Sequence, residues 1–224
     1  MIGAMPATVQ PDASPPPLGI PSLRDGQQLS REAFHRLYES APPGARAELI
    51  GGTVRMGMPT GAVHSSLHSI LSGWFVLYQA AVGGVRSHVT PTLLLGAASE
   101  PEPDLVLYRT PAAGGRVRAS GTYLEGPPEL VVEIAATTEA TDLGVKFRDY
   151  AAALVDEYLV VLPQARRVRW FVREQGSLVE MDPDPDGIHR SRVFPGIRLD
   201  PEALFDEDLP RLLATLQEGL SAAQ

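Results

Sequence analysis

Apolar positions in this chain follow two different periods, and the switch between them predicts the order of elements. From residue 31 to about 40, Phe34, Leu37 and Tyr38 share one helical face, with Ser30 placed as a cap and Pro42-Pro43-Gly44 as a stop. Residues 47–50 and 53–56 are short apolar runs around Gly51-Gly52, the signature of a tight hairpin. His64, Leu67, Leu71, Trp74 and Tyr78 recur at spacings of three and four and predict a helix over 62–78. The period then shortens. Residues 85–95 predict one or two strands broken near Pro91, and 104–108 and 129–136 predict two more, with 111–128 between them a long glycine-rich loop. Leu143, Phe147, Tyr150 and Leu154 predict a helix starting near 141 or 142. A strand over 157–162, a hairpin of 167–172 and 178–181 about Gly176, a strand within 189–194 and a helix over 210–220 burying Leu212, Leu213, Leu216 and Leu220 complete the order.

Two of the strand runs carry an acid. Asp104 opens Leu105-Val106-Leu107-Tyr108, and Glu133 lies inside Leu130-Val131-Val132-Glu133-Ile134-Ala135. Continuous Val, Ile and Leu runs suit strands buried on both faces. A carboxylate there is costly unless paired or metal-bound. Glu133 therefore either faces solvent at a strand end or has a positive partner. Lys146 lies beside the apolar stripe of the following helix. Two carboxylates ~4 Å apart repel by ~4 kcal/mol at an effective dielectric of 20. A divalent cation turns that repulsion into a binding site, and oxygen-only ligands select Mg²⁺ or Mn²⁺. Simpler readings stand beside each: Asp104 as a turn residue, Lys146 as a wetted helix flank, Glu48 as an exposed strand acid, His64 as a core-lining residue, Tyr150 as core. His64 and His68 have a four-residue spacing, but no acid completes a zinc-protease motif.

Composition narrows the class. The chain has 224 residues, 44% of them hydrophobic, enough for a core. Residues 1–22 are rich in Pro, Ala and Ser without periodicity and predict a flexible tail ahead of one domain over 23–224. No cysteine means no disulfide, thiolate metal site or cysteine nucleophile. No apolar run is long enough to cross a bilayer and no secretory signal is visible, so a cytoplasmic protein without a membrane partner is expected. The net charge of −8 argues against broad, nonspecific attraction to nucleic acid but leaves room for a local basic face, for which Arg116, Arg118, Arg166, Arg167 and Arg169 are candidates.

From about residue 47 to 205 the chain resembles the Uma-two family of restriction endonucleases, a branch of the PD-(D/E)xK nucleases. The resemblance rests on Glu48-Leu49-Ile50-Gly51-Gly52, His64, Pro103-Asp104, Pro127-Pro128-Glu129-Leu130-Val131-Val132-Glu133-Ile134, Asp142, Lys146, Tyr150, Asp156-Glu157-Tyr158 and Phe194-Pro195-Gly196-Ile197-Arg198-Leu199. It implies a restriction-endonuclease-like α/β fold, a mixed central sheet flanked by helices with an added β-hairpin region. It implies DNA as substrate, hydrolysed with Mg²⁺ or Mn²⁺ held by Asp104 and Glu133, with Glu48 as an accessory metal-binding acid. It implies Lys146 as the lysine that elsewhere stands two residues after the glutamate, a place taken here by Ala135, and His64 as a substrate-facing or supporting residue. Cutting both strands is simplest for a two-fold homodimer. Gly51 and Ala136-Thr137-Thr138 depart from the family pattern, which keeps open an idle nuclease fold used for binding or assembly, and a substrate of RNA or branched DNA.

Overall fold

The computed structural model describes residues 22–57 and 59–223. The tail expected over 1–22 therefore lies almost wholly outside the described residues.

Helix α1 (Arg31–Glu39) is capped by Ser30, whose Oγ accepts from the Ala33 amide. It packs Phe34 against the hairpin of β1 (Ala47–Ile50) and β2 (Thr53–Met56). Gly51 and Gly52 form the turn with φ of 54° and 78°, a left-handed pair that side chains resist. Helix α2 (Ala62–Ala81) buries Leu67, Leu71, Trp74 and Tyr78, as the stripe predicts, and Phe75 with them.

The principal sheet contains β3 (Val85–Val89), β5 (Leu105–Arg109), β8 (Leu130–Ile134), β9 (Glu157–Leu162), β10 (Arg167–Glu174) and β11 (Ser177–Met181). Its order is β11-β10-β9-β8-β5-β3, mixed, with the β8–β9 pair parallel and the other pairs antiparallel. The parallel pair demands a crossover, supplied by α3 (Glu139–Thr141), a π-helical turn (Asp142–Lys146) and α4 (Phe147–Ala152). Alternation along the central strands sorts their side chains. Leu105, Leu107, Leu130, Val132, Ile134, Leu159 and Val161 face α2, α5 (Pro201–Phe205) and α6 (Leu209–Ala222). Val106, Tyr108, Val131, Ala135, Tyr158 and Val160 face the crossover and its Tyr150. Glu133 belongs by parity to this second set, between Val131 and Ala135.

Several expectations need correction. The segment over 111–128 is no simple loop: β6 (Arg118–Ser120) and β7 (Tyr123–Glu125) form a three-stranded sheet with β4 (Leu93–Leu94). The crossover helix begins at Glu139 and contains a π turn, and it ends before Leu154, which has φ 66° and is half exposed. The chain must reverse there to enter β9 parallel to β8. Only His189–Arg190 of the strand expected within 189–194 pairs, as β12, against β13 (Arg198–Leu199). Leu212 and Leu216 are fully buried, Leu213 and Leu220 only partly.

Candidate active site

Asp104 and Glu133 reach one another through strand register. Leu105 pairs with Val132 across β5 and β8, so extending the antiparallel ladder by one residue sets Asp104 opposite Glu133. Opposed side chains on one face of such a pair sit ~5 Å apart at Cβ. The second oxygen of Asp104, Oδ2, accepts from the Ile134 amide at 2.7 Å, which ties the two strand ends together.

The crossover then brings Lys146 over this strand face. Its Nζ lies 3.0 Å from Glu133 Oε1 and 3.0 Å from Glu48 Oε2, with Asp142 Oδ1 at 3.8 Å. Of the two fates open to Glu133, the structure shows the positive partner. A lysine at position 135 would rise from the same strand face, and Lys146 delivers its ammonium to that acid from the helix instead. Tyr150 is core, yet its hydroxyl also donates to Glu133 Oε1, at 2.8 Å. Glu48 reaches the site from β1, and its Oε2 also accepts from the Glu102 amide at 3.2 Å.

Two histidines one turn apart on α2 hold Asp104. His64 Nε2 lies 3.0 Å from its Oδ1, and His68 Nε2 donates to its main-chain oxygen at 2.9 Å. The four-residue histidine spacing thus sets both rings against Asp104. All five sequence-derived candidates, Glu48, His64, Asp104, Glu133 and Lys146, line one open cleft of about 560 Å³.

Sequence reasoning gave no role to several neighbours, although Asp142 was among the residues that carry the family resemblance. Asp142 is buried, and its Oδ2 accepts from Thr138 Oγ1 at 2.5 Å. Its four-residue spacing to Lys146 was a usable signal. Glu102 lines the cleft too, two residues before Asp104 on an extended chain, and takes the Tyr38 hydroxyl at 2.6 Å. Asp149 had no sequence signal: its Oδ2 accepts from the Gly51 amide at 2.7 Å and from Ser99 Oγ at 2.5 Å, locking the β1–β2 turn onto α4. That lock sets Glu48 against Lys146. The proposed phosphate-contacting arginines are mostly committed elsewhere: Arg116 to Asp156, Arg166 to Asp206, Arg167 and Arg169 to Glu180.

Charge does not balance in the cleft. Three carboxylates, on Glu48, Glu133 and Asp142, share the Lys146 ammonium, and a fourth, on Asp104, lies against His64. Burial pushes the Glu133 carboxyl well above the usual range, and the Lys146 ammonium only partly opposes it. Lys146 itself is held charged: its burial is outweighed by Glu133, Glu48 and Asp142. Burial raises Asp142 from 3.8 to about 6. A raised carboxyl value means the folded chain binds that proton more tightly than the unfolded one. Its stabilising effect is complete below ~3.8 and disappears as pH rises through about 6. Asp142→Asn, which can keep the Thr138 bond, is therefore expected to melt higher than the wild type near pH 8, by up to about 3 kcal/mol. The two melting temperatures should converge as pH falls toward ~4; a constant gap in thermal unfolding across that range would contradict the assignment.

The donor set suits a hard cation. Both bonds to Glu133 use Oε1 and both to Glu48 use Oε2, leaving Glu133 Oε2 and Glu48 Oε1 without protein partners among the described residues. All candidate donors are oxygens, the set Mg²⁺ and Mn²⁺ take. Among the described residues, however, no three such side chains already surround a common point. The carboxylates are turned onto their protein partners.

A mixed sheet that presents two acids from adjacent strands to a lysine from the crossover defines a restriction-endonuclease-like fold. Among solved structures the chain is similar to one described as "a putative nuclease belonging to DUF820" from Anabaena variabilis ATCC 29413, with 17% identity and a TM-score of 0.59 over 76% of this chain and 96% of that one. The model of the Uma2 family, described as "Putative restriction endonuclease", matches residues 31–202, and the chain belongs to that family. No curated protein matches the chain.

Proposed function

We propose that this protein is a metal-dependent endonuclease that hydrolyses DNA phosphodiester bonds in the cleft between the β1–β2 hairpin, the amino end of α2 and the crossover. One observation carries the reading: Lys146 Nζ meets Glu133 and Glu48 at 3.0 Å each, with Asp104 opposite Glu133 in the ladder. Family membership and fold support it.

Asp104, Glu133 and Glu48 would hold the divalent cation, whose chemistry is to polarise a phosphoryl oxygen and acidify water. The chain's own groups do the rest. His64, with Nε2 3.0 Å from Asp104 Oδ1, holds that carboxylate against α2, and His68 fixes the backbone beneath it. Tyr150 orients Glu133 from inside the core. The Lys146 ammonium, already desolvated, stands ready to neutralise charge building on a phosphate oxygen, an effect strongest where water is excluded. The reading places the protein in the cytoplasm, with no membrane partner, as a two-fold homodimer with one site per strand. Purified protein is expected to nick and then linearise supercoiled plasmid with Mg²⁺ or Mn²⁺ and to stop when EDTA is added. No cutting of duplex, single-stranded or branched DNA with either ion would overturn the reading.

A second reading is an idle nuclease fold kept for binding or assembly. The carboxylates that Lys146 and His64 already satisfy favour it. Calorimetric titration separates the two: a competent site takes up Mn²⁺ and loses it in Asp104→Ala, an idle one gives no heat in either protein.

A further inference from the structure

Arg46 and Arg55 stand on the hairpin wall of the cleft, facing the acids. Arg46 immediately precedes β1, and Arg55 is the cross-strand partner of Glu48 within the hairpin. The acids nearest the chemistry are taken by Lys146 and His64, and neither arginine forms an ion pair among the described residues. Arg116, Arg166, Arg167, Arg169, Arg190, Arg192 and Arg211 each lie against a carboxylate outside this cleft, whereas Arg46 and Arg55 line the cleft itself without one. Arg55 is also restrained: its Nε is buried and has no acceptor among the described residues. A guanidinium held by packing, with no carboxylate to satisfy it, is pre-organised for an incoming anion. The adjoining rim is the start of α2, where Gly61 provides no side-chain cap and the first turn of the helix itself contributes no acid.

We propose that Arg46 and Arg55 bind the backbone phosphates flanking the scissile one, so that the β1–β2 hairpin is the clamp that seats the nucleic acid over Glu133 and Asp104. The inference rests on the nuclease reading and adds the residues that hold substrate. An excess of negative charge in the cleft would otherwise drive a polyanion away, and these two cations supply the local attraction that the net charge of −8 withholds. The Asp149 bond to the Gly51 amide anchors this clamp to the crossover that carries Lys146, fixing the distance between phosphate grip and chemistry.

The test is the salt dependence of binding to a fluorescent DNA duplex, followed by anisotropy with Ca²⁺ in place of Mg²⁺. Each phosphate contact removed from a duplex complex lowers the slope of log affinity against log salt by about 0.9. Arg46→Ala and Arg55→Ala are expected to lower it by about that much each, and the double variant by about twice that, with weaker binding throughout. Arg55→Lys keeps the charge and should keep most of the slope. Arg192→Ala, a loss of the same charge at a residue paired with Glu174 outside this cleft, should change nothing. Arg46 is exposed, so Arg46→Ala tests the proposal even if Arg55→Ala folds poorly. A double variant with the wild-type slope, or a drop no larger than that of Arg192→Ala, overturns the proposal. If the wild type cuts plasmid while the slope stays unchanged, the clamp alone fails. If the wild type neither binds nor cuts DNA, the nuclease reading fails with it.

Discussion

Glu133→Gln is expected to reduce Mg²⁺- or Mn²⁺-dependent DNA cleavage by about a hundredfold to a thousandfold, the size seen when one electrostatic group is removed from a pre-organised site. Glutamine keeps the shape of the side chain and an oxygen for Tyr150 and Lys146, so the packing around Val131 and Ala135 is preserved. What disappears is an ionisable oxygen donor for the cation, which a neutral amide replaces only weakly. Mn²⁺ affinity in calorimetry should fall by at least tenfold. Stability near pH 8 should not fall, because burial already disfavours the ionised form of Glu133. A protein that cuts as fast as the wild type after this change would remove Glu133 from the chemistry and leave the buried acid as a structural partner of Lys146.

The second large effect is on stability. Lys146→Met is expected to cost roughly 3–5 kcal/mol near pH 8, the range for breaking a buried ion pair from one side. Glu133 and Asp142 would be left buried without their cation, and Glu48 would lose its contact. At ~2–4 °C per kcal/mol for a chain of this size, the melting temperature should drop by about 6–20 °C. The sign of the pH dependence follows from the acids. Burial already raises both carboxyls, and losing the ammonium raises them further. Raised carboxyls favour the folded state where they are protonated, so the deficit should shrink as pH falls from ~8 to ~6. Thermal unfolding of both proteins at the two pH values checks this. A deficit that is absent, or that grows on acidification, would mean Lys146 does not neutralise these acids.

Much of the candidate site was legible in one dimension. Glu133 was conspicuous because an apolar strand run tolerates an acid poorly without a partner, and the partner is 3.0 Å away. The α2 stripe was readable because it repeats for five turns, and it carries the two histidines that hold Asp104. Other features had no local signature. The π turn at Asp142–Lys146 breaks the period that made the helix readable, and it is the element that buries both Asp142 and Lys146. The strands β6 and β7 hid in a glycine-rich segment because they are three residues long and pair with a two-residue partner. Which arginines are ion-paired was not legible because pairing is a property of neighbours in space, and Arg169 and Glu180 meet only across the β10–β11 register.

The amino-acid order by itself determined the alternation of helices and strands, the hairpin turn at Gly51-Gly52, and that Glu133 was out of place in an apolar strand. These follow from local rules: side-chain period, glycine's access to positive φ, and the cost of burying charge. Tertiary structure alone decided that β5 and β8 register Asp104 against Glu133, that Asp149 latches the hairpin to α4, and that Arg46 and Arg55 stand over the cleft with no ion pair among the described residues. Those are relations between residues tens of positions apart. Their energies depend on distance and dielectric in the folded chain, which no stretch of sequence contains.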